Sequence, residues 1–391
     1  MSRGRLLVAA ALVAVTVLVI ALSTGGGGGG GTGTVPPGTT ARTVPGPAQA
    51  GSGVTLGMNL NRVFNDAPFD DARAAPLLRL ARAAGIRNAR SDLFWEATER
   101  APPVAGRHAY DWRFGDWVAS SLARSGIAWL PIIDYAPAWA SGVPAPRKGP
   151  PRNPADYAAF AGAAARRYGP GGEFWRTHPD VPARPIRAWE IWNEENSTHF
   201  WGGQPDAALY ARMYAGARAA IHAADPGATV LVGGLTNAYE SYVADMVGAV
   251  PALRGSIDGV AIHPYSPTVP GTAEEVRKRR AALRAAGLGD VPLWVTEYGW
   301  VTSPATSGHY KPEGQRAIDL PAVADVLARS DCGIRAIYPY TWTTPERNPA
   351  SEEDWYGIVH PGGALSPSAR AWVAFLRRGA KGPPVAICGG G

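Results

Sequence analysis

Ile186-Arg187-Ala188-Trp189-Glu190-Ile191-Trp192-Asn193-Glu194-Glu195-Asn196 runs as a mostly apolar strand and ends abruptly in acid. About a hundred residues later Leu293-Trp294-Val295-Thr296-Glu297-Tyr298-Gly299-Trp300 does the same. Each segment reads as a buried strand with a glutamate at its end, set among aromatic residues. Whether the two glutamates meet depends on the fold that carries them.

Working outward, apolar runs of this kind recur eight times, at Val54 to Asn59, Ile86 to Ser91, Ala128 to Asp134, Ile186 to Asn193, Thr229 to Leu235, Ile257 to His263, Val291 to Glu297 and Ile334 to Tyr340. Alanine-rich helical patterns separate them. Asn153-Pro154 has the form of an N-cap with proline at the first helical position, and Gly85, Gly126, Gly169 and Gly287 fall where helices should stop. Near-continuous apolar strands alternating with amphipathic helices predict a parallel sheet covered by helices. Eight such units predict an α/β fold, a closed (β/α)₈ TIM barrel. A doubly wound open sheet is the rival, but no phosphate-binding glycine fingerprint follows the first strand.

The excess length falls after strands, in Trp95 to Asp111, Tyr135 to Pro151, Glu195 to Gly203, Val301 to Pro312 and Thr343 to Ala364. A barrel builds its site from such loops. The polar and aromatic residues at the strand ends are then Arg90, Asn193, Glu194, His263, Tyr265, Glu297, Trp300 and Trp342. Seven of the fourteen tryptophans, Trp95, Trp139, Trp192, Trp201, Trp300, Trp342 and Trp355, lie at or beyond strand ends, which suits a cleft lined for sugar. Two carboxylates at such a mouth are what acid-catalysed cleavage of a glycosidic bond requires.

With these residues in place the chain resembles glycoside hydrolase clan A, the retaining (β/α)₈ glycosidases with an Asn-Glu pair ending strand four and a glutamate ending strand seven. Trp-Asn-Glu194 and Val-Thr-Glu297 carry the resemblance, and Glu-Ile-Trp-Asn-Glu194 is similar to family 39. His263-Pro264-Tyr265, Arg90 and Trp342 stand where family 5 members hold substrate-binding residues. The resemblance implies that Glu194 is the general acid/base and Glu297 the nucleophile. Asn193 would bond the sugar 2-hydroxyl, Arg90 would keep Glu297 ionised, Tyr265 or His263 would orient it, and Trp342 would stack on a pyranose. No cofactor is implied. The chain departs from the clan at Glu195, which stands where proline is common and adds a third carboxylate to the turn. Glu190 is expected inside the barrel, with Arg90 as a possible ion-pair partner.

Ahead of the barrel, Arg3 and Arg5 precede an uncharged apolar run from Leu6 to Leu22, the pattern of a signal peptide or a membrane anchor over residues 1–24. A Gly/Thr/Pro-rich linker over 25–53 follows, then the catalytic domain over 54–378 and a tail over 379–391. The expected location is therefore extracellular, secreted or anchored to the outer face of the cytoplasmic membrane, with residues 6–22 as the tether. Cys332 and Cys388, the only cysteines, could tie that tail to the last strand. The formal charge of +6 comes from scattered arginine without a nucleic-acid-binding motif, so no nucleic-acid partner is expected. The seven histidines lack ligand spacing, which disfavours metal-dependent hydrolysis. A carbohydrate is the expected partner. An inactive cell-surface carbohydrate-binding barrel is the alternative, though it would have lost a carboxylate; an anchored structural protein would need neither.

Overall fold

The computed structural model describes residues 53–143, 148–238 and 240–389. The signal or anchor segment and the linker up to residue 52 lie outside the described residues, among which no helix is long and apolar enough to cross a membrane.

The strands are β1 (Thr55–Leu56), β2 (Met58–Asn59), β3 (Asn88–Phe94), β4 (Ala128–Asp134), β5 (Ala188–Asn193), β6 (Thr229–Leu235), β7 (Gly259–Ile262), β8 (Leu293–Val295) and β9 (Ile334–Ile337). All pair in parallel, in the order β1-β9-β8-β7-β6-β5-β4-β3-β2. β1 and β2 are the two halves of the first expected strand, β1 bonded to β9 and β2 to β3, so the sheet closes on itself. The fold is the (β/α)₈ barrel. The expected glutamate-bearing strands four and seven are β5 and β8.

The halves part at Gly57, whose backbone N–H still bonds Ile337 O at 2.9 Å. A Cβ there would lie 2.1 Å from the Tyr338 ring, so the barrel interior has room for that ring only because residue 57 has no side chain. Tyr338, Leu130, Leu231, Ala261 and Ala336 form an apolar cluster within the sheet. Arg90, Glu190, Asn59 and Thr296 supply a second, polar group of buried side chains.

Helices cover the outside through the main apolar core. Three of their tyrosines donate to strand carbonyls: Tyr157 to Ile133 O at 2.5 Å, Tyr210 to Ile191 O at 2.6 Å and Tyr214 to Val230 O at 2.8 Å. Asn153 caps its helix, accepting from Ala155 N at 3.1 Å, with Pro154 at the first position. Gly85, Gly126 and Gly287 close their helices with positive φ, whereas Gly169 stays extended at φ −71°. Cys332 and Cys388 form a disulfide with Cα atoms 5.2 Å apart, joining the tail to the segment that enters β9.

Candidate active site

Glu194 owes its position to a break in the alternation of β5. Glu190 faces the barrel interior, and simple period-two alternation would turn Trp192 the same way. Trp192 instead adopts φ +69°, and its ring packs among Tyr135, Tyr157 and Trp201. Asn193 is thereby brought inward to Arg90, and Glu194, itself at φ +50°, enters the cleft. Left-handed backbone costs roughly 1–3 kcal/mol for such residues and concentrates at functional sites. Asn196 anchors the turn to the end of β6, accepting from Thr236 N at 2.9 Å and donating to Thr236 O at 3.1 Å.

Glu297 follows β8 and is 8% exposed. Arg90 Nη1 donates to its Oε1 at 2.5 Å, and the Tyr265 hydroxyl donates to its Oε2 at 2.9 Å. Arg90 is fully buried and also makes a two-pronged ion pair with Glu190, both bonds 2.8 Å, besides donating to Asn59 Oδ1 at 3.1 Å and Asn193 Oδ1 at 2.8 Å. Both contacts expected of Arg90, with Glu190 and with Glu297, are therefore made by one guanidinium. Burial pushes the Glu297 carboxyl up, but the charges of His263 and Arg90 and the bonds from Tyr265 and Arg90 together hold it below the ordinary glutamate value.

Glu194 has a different partner. Its Oε1 lies 2.8 Å from His263 Nδ1, while His263 Nε2 lies 3.2 Å from Thr296 Oγ1, which donates to Glu190 Oε1 at 3.3 Å. A hydroxyl that gives its proton to Glu190 can only accept from His263, so the imidazole carries a proton on Nε2. Gly234 makes room for this ring, because a Cβ there would lie 2.0 Å from Nε2. Ligand atoms of Glu194, His263 and Glu297 lie within 4.8 Å of one another. Such a trio has the donor chemistry of a cation site, but Arg90 already delivers positive charge to Glu297, so an added metal would sit against a like charge.

These groups line a cleft of about 860 Å³. All five long loops foreseen after strands contribute to it: Glu96, Tyr135 and Lys148, His199 and Phe200, His309, then Glu353 and Tyr356. Asn193, Glu194, His263, Tyr265 and Glu297 converge there, with Arg90 beneath them.

Trp300 and Trp342 do not line the cleft. Trp342 is 0% exposed with its indole N–H on Leu77 O at 3.3 Å, and Trp300 is 1% exposed with its N–H on Ser266 O at 2.7 Å. None of the seven strand-end tryptophans lines it; the aromatic wall is Phe94, Tyr135, Phe200, Tyr265, Tyr340 and Tyr356. Trp139, Trp192 and Trp355 likewise donate to carbonyls, of Glu99, Phe200 and Asn348. These indoles are tied to backbone carbonyls, the usual way a buried Trp satisfies its one donor. Glu195 is fully buried, close behind Gly233 and outside the cleft lining, and burial pushes its carboxyl well up. The third carboxylate of the turn therefore does not join the pair.

No family model matches the chain, and no curated protein matches it by sequence. Solved structures do share its fold. A family 39 glycoside hydrolase from the gut symbiont Bacteroides cellulosilyticus WH2 is 20% identical at a TM-score of 0.56, over 83% of this chain and 64% of that one. A monomeric beta-xylosidase from Caulobacter crescentus CB15 is 19% identical at 0.61, over 84% and 69%. The Ignisphaera aggregans GH53 catalytic domain is 16% identical at 0.56, over 84% and 97%. This chain thus spans roughly two thirds of the first two structures and nearly all of the third.

Proposed function

We propose that the protein is a retaining glycoside hydrolase that cleaves β-linked O-glycosidic bonds of an extracellular poly- or oligosaccharide. The observation that supports this reading best is the approach of Glu194 and Glu297 oxygens to within 4.8 Å, from the ends of two strands of one barrel. Carboxyls about 5 to 5.5 Å apart leave no room for a water between them, so the second carboxylate attacks carbon directly. The shared fold with glycosidases agrees with this chemistry.

Glu297, kept anionic by Arg90 and Tyr265, attacks the anomeric carbon while Glu194 gives its proton to the departing oxygen. A glycosyl-enzyme results. Glu194, now a carboxylate, takes a proton from water, which displaces Glu297 and returns the sugar with its original anomeric configuration. His263 Nδ1 lies against the Glu194 carboxyl and positions it, and Asn193, oriented by Arg90, faces the cleft to meet the 2-hydroxyl. Export, by a cleaved signal or with residues 6–22 as a tether to the outer face of the cytoplasmic membrane, is supported by that apolar run and by a disulfide that suits an oxidising compartment.

An aryl β-glycoside panel tests the reading. Glu297→Ala should abolish turnover in a folded protein. Glu194→Ala should lose about 10²- to 10⁴-fold and recover with azide, which needs no proton to attack. Product of inverted configuration would refute the retaining path.

A further inference from the structure

Away from the catalytic pair, the cleft wall built by β3 and β4 carries polar groups that the mechanism does not use. Asp92 pairs with Ile132 and Phe94 with Asp134 across these strands, and alternate residues share a face. Asp92, Phe94 and Ile132 line the cleft, and alternation puts Asp134 on the same face, directly behind that lining. It is 0% exposed, and among the described residues neither of its carboxyl oxygens has a hydrogen-bond partner. Two buried acceptors without donors are costly unless a ligand supplies them.

The complementary donor stands nearby. Lys148 Nζ lies 4.4 Å from the Tyr135 ring centre and 3.6 Å from that of Phe200, and makes no hydrogen bond or ion pair with the described residues. Asp134, Asp92 and Glu194 are among the charges that act on it. Asp92 keeps one bond, from Asn65 Nδ2 at 2.7 Å, and Glu96 lines the same wall. Burial pushes the Asp134, Asp92 and Glu96 carboxyls up and the Lys148 ammonium down. All four are groups short of polar partners.

We propose that Asp134, Asp92 and Lys148 form a subsite that grips neighbouring hydroxyls of a sugar ring without a carboxylate, with Tyr135 and Phe200 as its apolar side. The inference rests on the hydrolase reading and narrows its substrate to glycans that bring no carboxylate to this wall. Mixed charge is the reason. A uronate would bring its carboxylate against three carboxyls, whereas a diol donates to the aspartates and accepts from the lysine.

Aryl glycosides of neutral and uronic sugars, with singly deoxygenated forms of the best neutral one, test this on the wild type, Lys148→Met and Asp134→Asn. The neutral series should be preferred to the uronic one. Lys148→Met should lower kcat/KM on the parent glycoside roughly ten- to a hundredfold, the cost of a hydrogen bond to a charged group. On the analogue lacking the gripped hydroxyl the variant should match wild type within about twofold. Equal losses on every analogue, no loss at all, or preference for a uronide would overturn the subsite. Should Asp134→Asn fail to fold, Lys148→Met still decides. Should the wild type cleave nothing, the hydrolase reading falls alone, and the subsite is judged by NMR titration with the neutral monosaccharides. Binding lost in Lys148→Met supports it; no binding by the wild type overturns it.

Discussion

Tyr265 is the residue whose removal separates holding Glu297 from building the barrel. Arg90 does both, since it also neutralises Glu190, and truncating it would strand a buried carboxylate at a cost of about 3–5 kcal/mol. The Tyr265 hydroxyl donates only to Glu297. Its bond is among the causes that keep that carboxyl low, so Tyr265→Phe should raise the Glu297 pKa. The sign follows directly: the nucleophile must be anionic, a higher pKa protonates it sooner as pH falls, and the acid limb of kcat/KM should move to higher pH. At the optimum the loss should be roughly ten- to a hundredfold. An unmoved acid limb in a pH–rate profile would show that Tyr265 does not hold the nucleophile. This contact was one of two that the sequence offered, since Tyr265 and His263 both follow the strand before that of Glu297. The tryptophans were less legible at this scale. Their number at strand ends suggested platforms, but the indole N–H is a donor that must be satisfied when buried, and backbone carbonyls claimed it.

Elements were the most readable level, since their signals are local. Period and caps gave the helix Pro154–Tyr168 to the residue, and Thr229–Leu235 and Ala128–Asp134 coincide with expected strands. The strands leading to the site are shorter than expected: β8 ends at Val295, two residues before Glu297, and β9 at Ile337, three before Tyr340. Apolar composition continues past the last ladder bond, because residues that turn into a buried mouth also need apolar surroundings. The left-handed residues Trp192 and Glu194 had no local signal, as neither residue type favours positive φ. The split of the first strand is the other case where tertiary packing prevailed. Gly57→Ala should force its methyl into the Tyr338 ring and destabilise the fold by about 1–3 kcal/mol, seen as a lower denaturation midpoint with an unchanged denaturant slope. A neutral result would mean that Tyr338 has room to turn away.

For the whole molecule, barrel polarity divides function from stability. Asn193 and Glu297 stand at or beyond the C-terminal ends of β5 and β8, whereas Cys332 lies before the N-terminal end of β9, so the disulfide belongs to the opposite rim. Around it the tail is held by Asp331 Oδ1, which accepts from Ile387 N and Cys388 N at 2.8 Å each, and by Arg284 Nη1, which donates to Cys388 O at 2.6 Å. Sequence alone allowed this bond, because two cysteines admit one pairing, but only the folded chain brings residues 56 apart into reach. Closing a loop of that length restricts the unfolded chain by about 4 kcal/mol at most, less whatever the hydrogen bonds around the tail retain without it. Cys388→Ala should therefore lower the unfolding free energy by roughly 2–4 kcal/mol in guanidinium titrations. Turnover at 25 °C should be unchanged, since none of Arg284, Asp331, Cys332 and Cys388 lines the cleft. Stability loss accompanied by a proportionate loss of kcat in the still-folded variant would mean that the two rims of the barrel are coupled, and that the tail helps to set the geometry of Glu194 and Glu297.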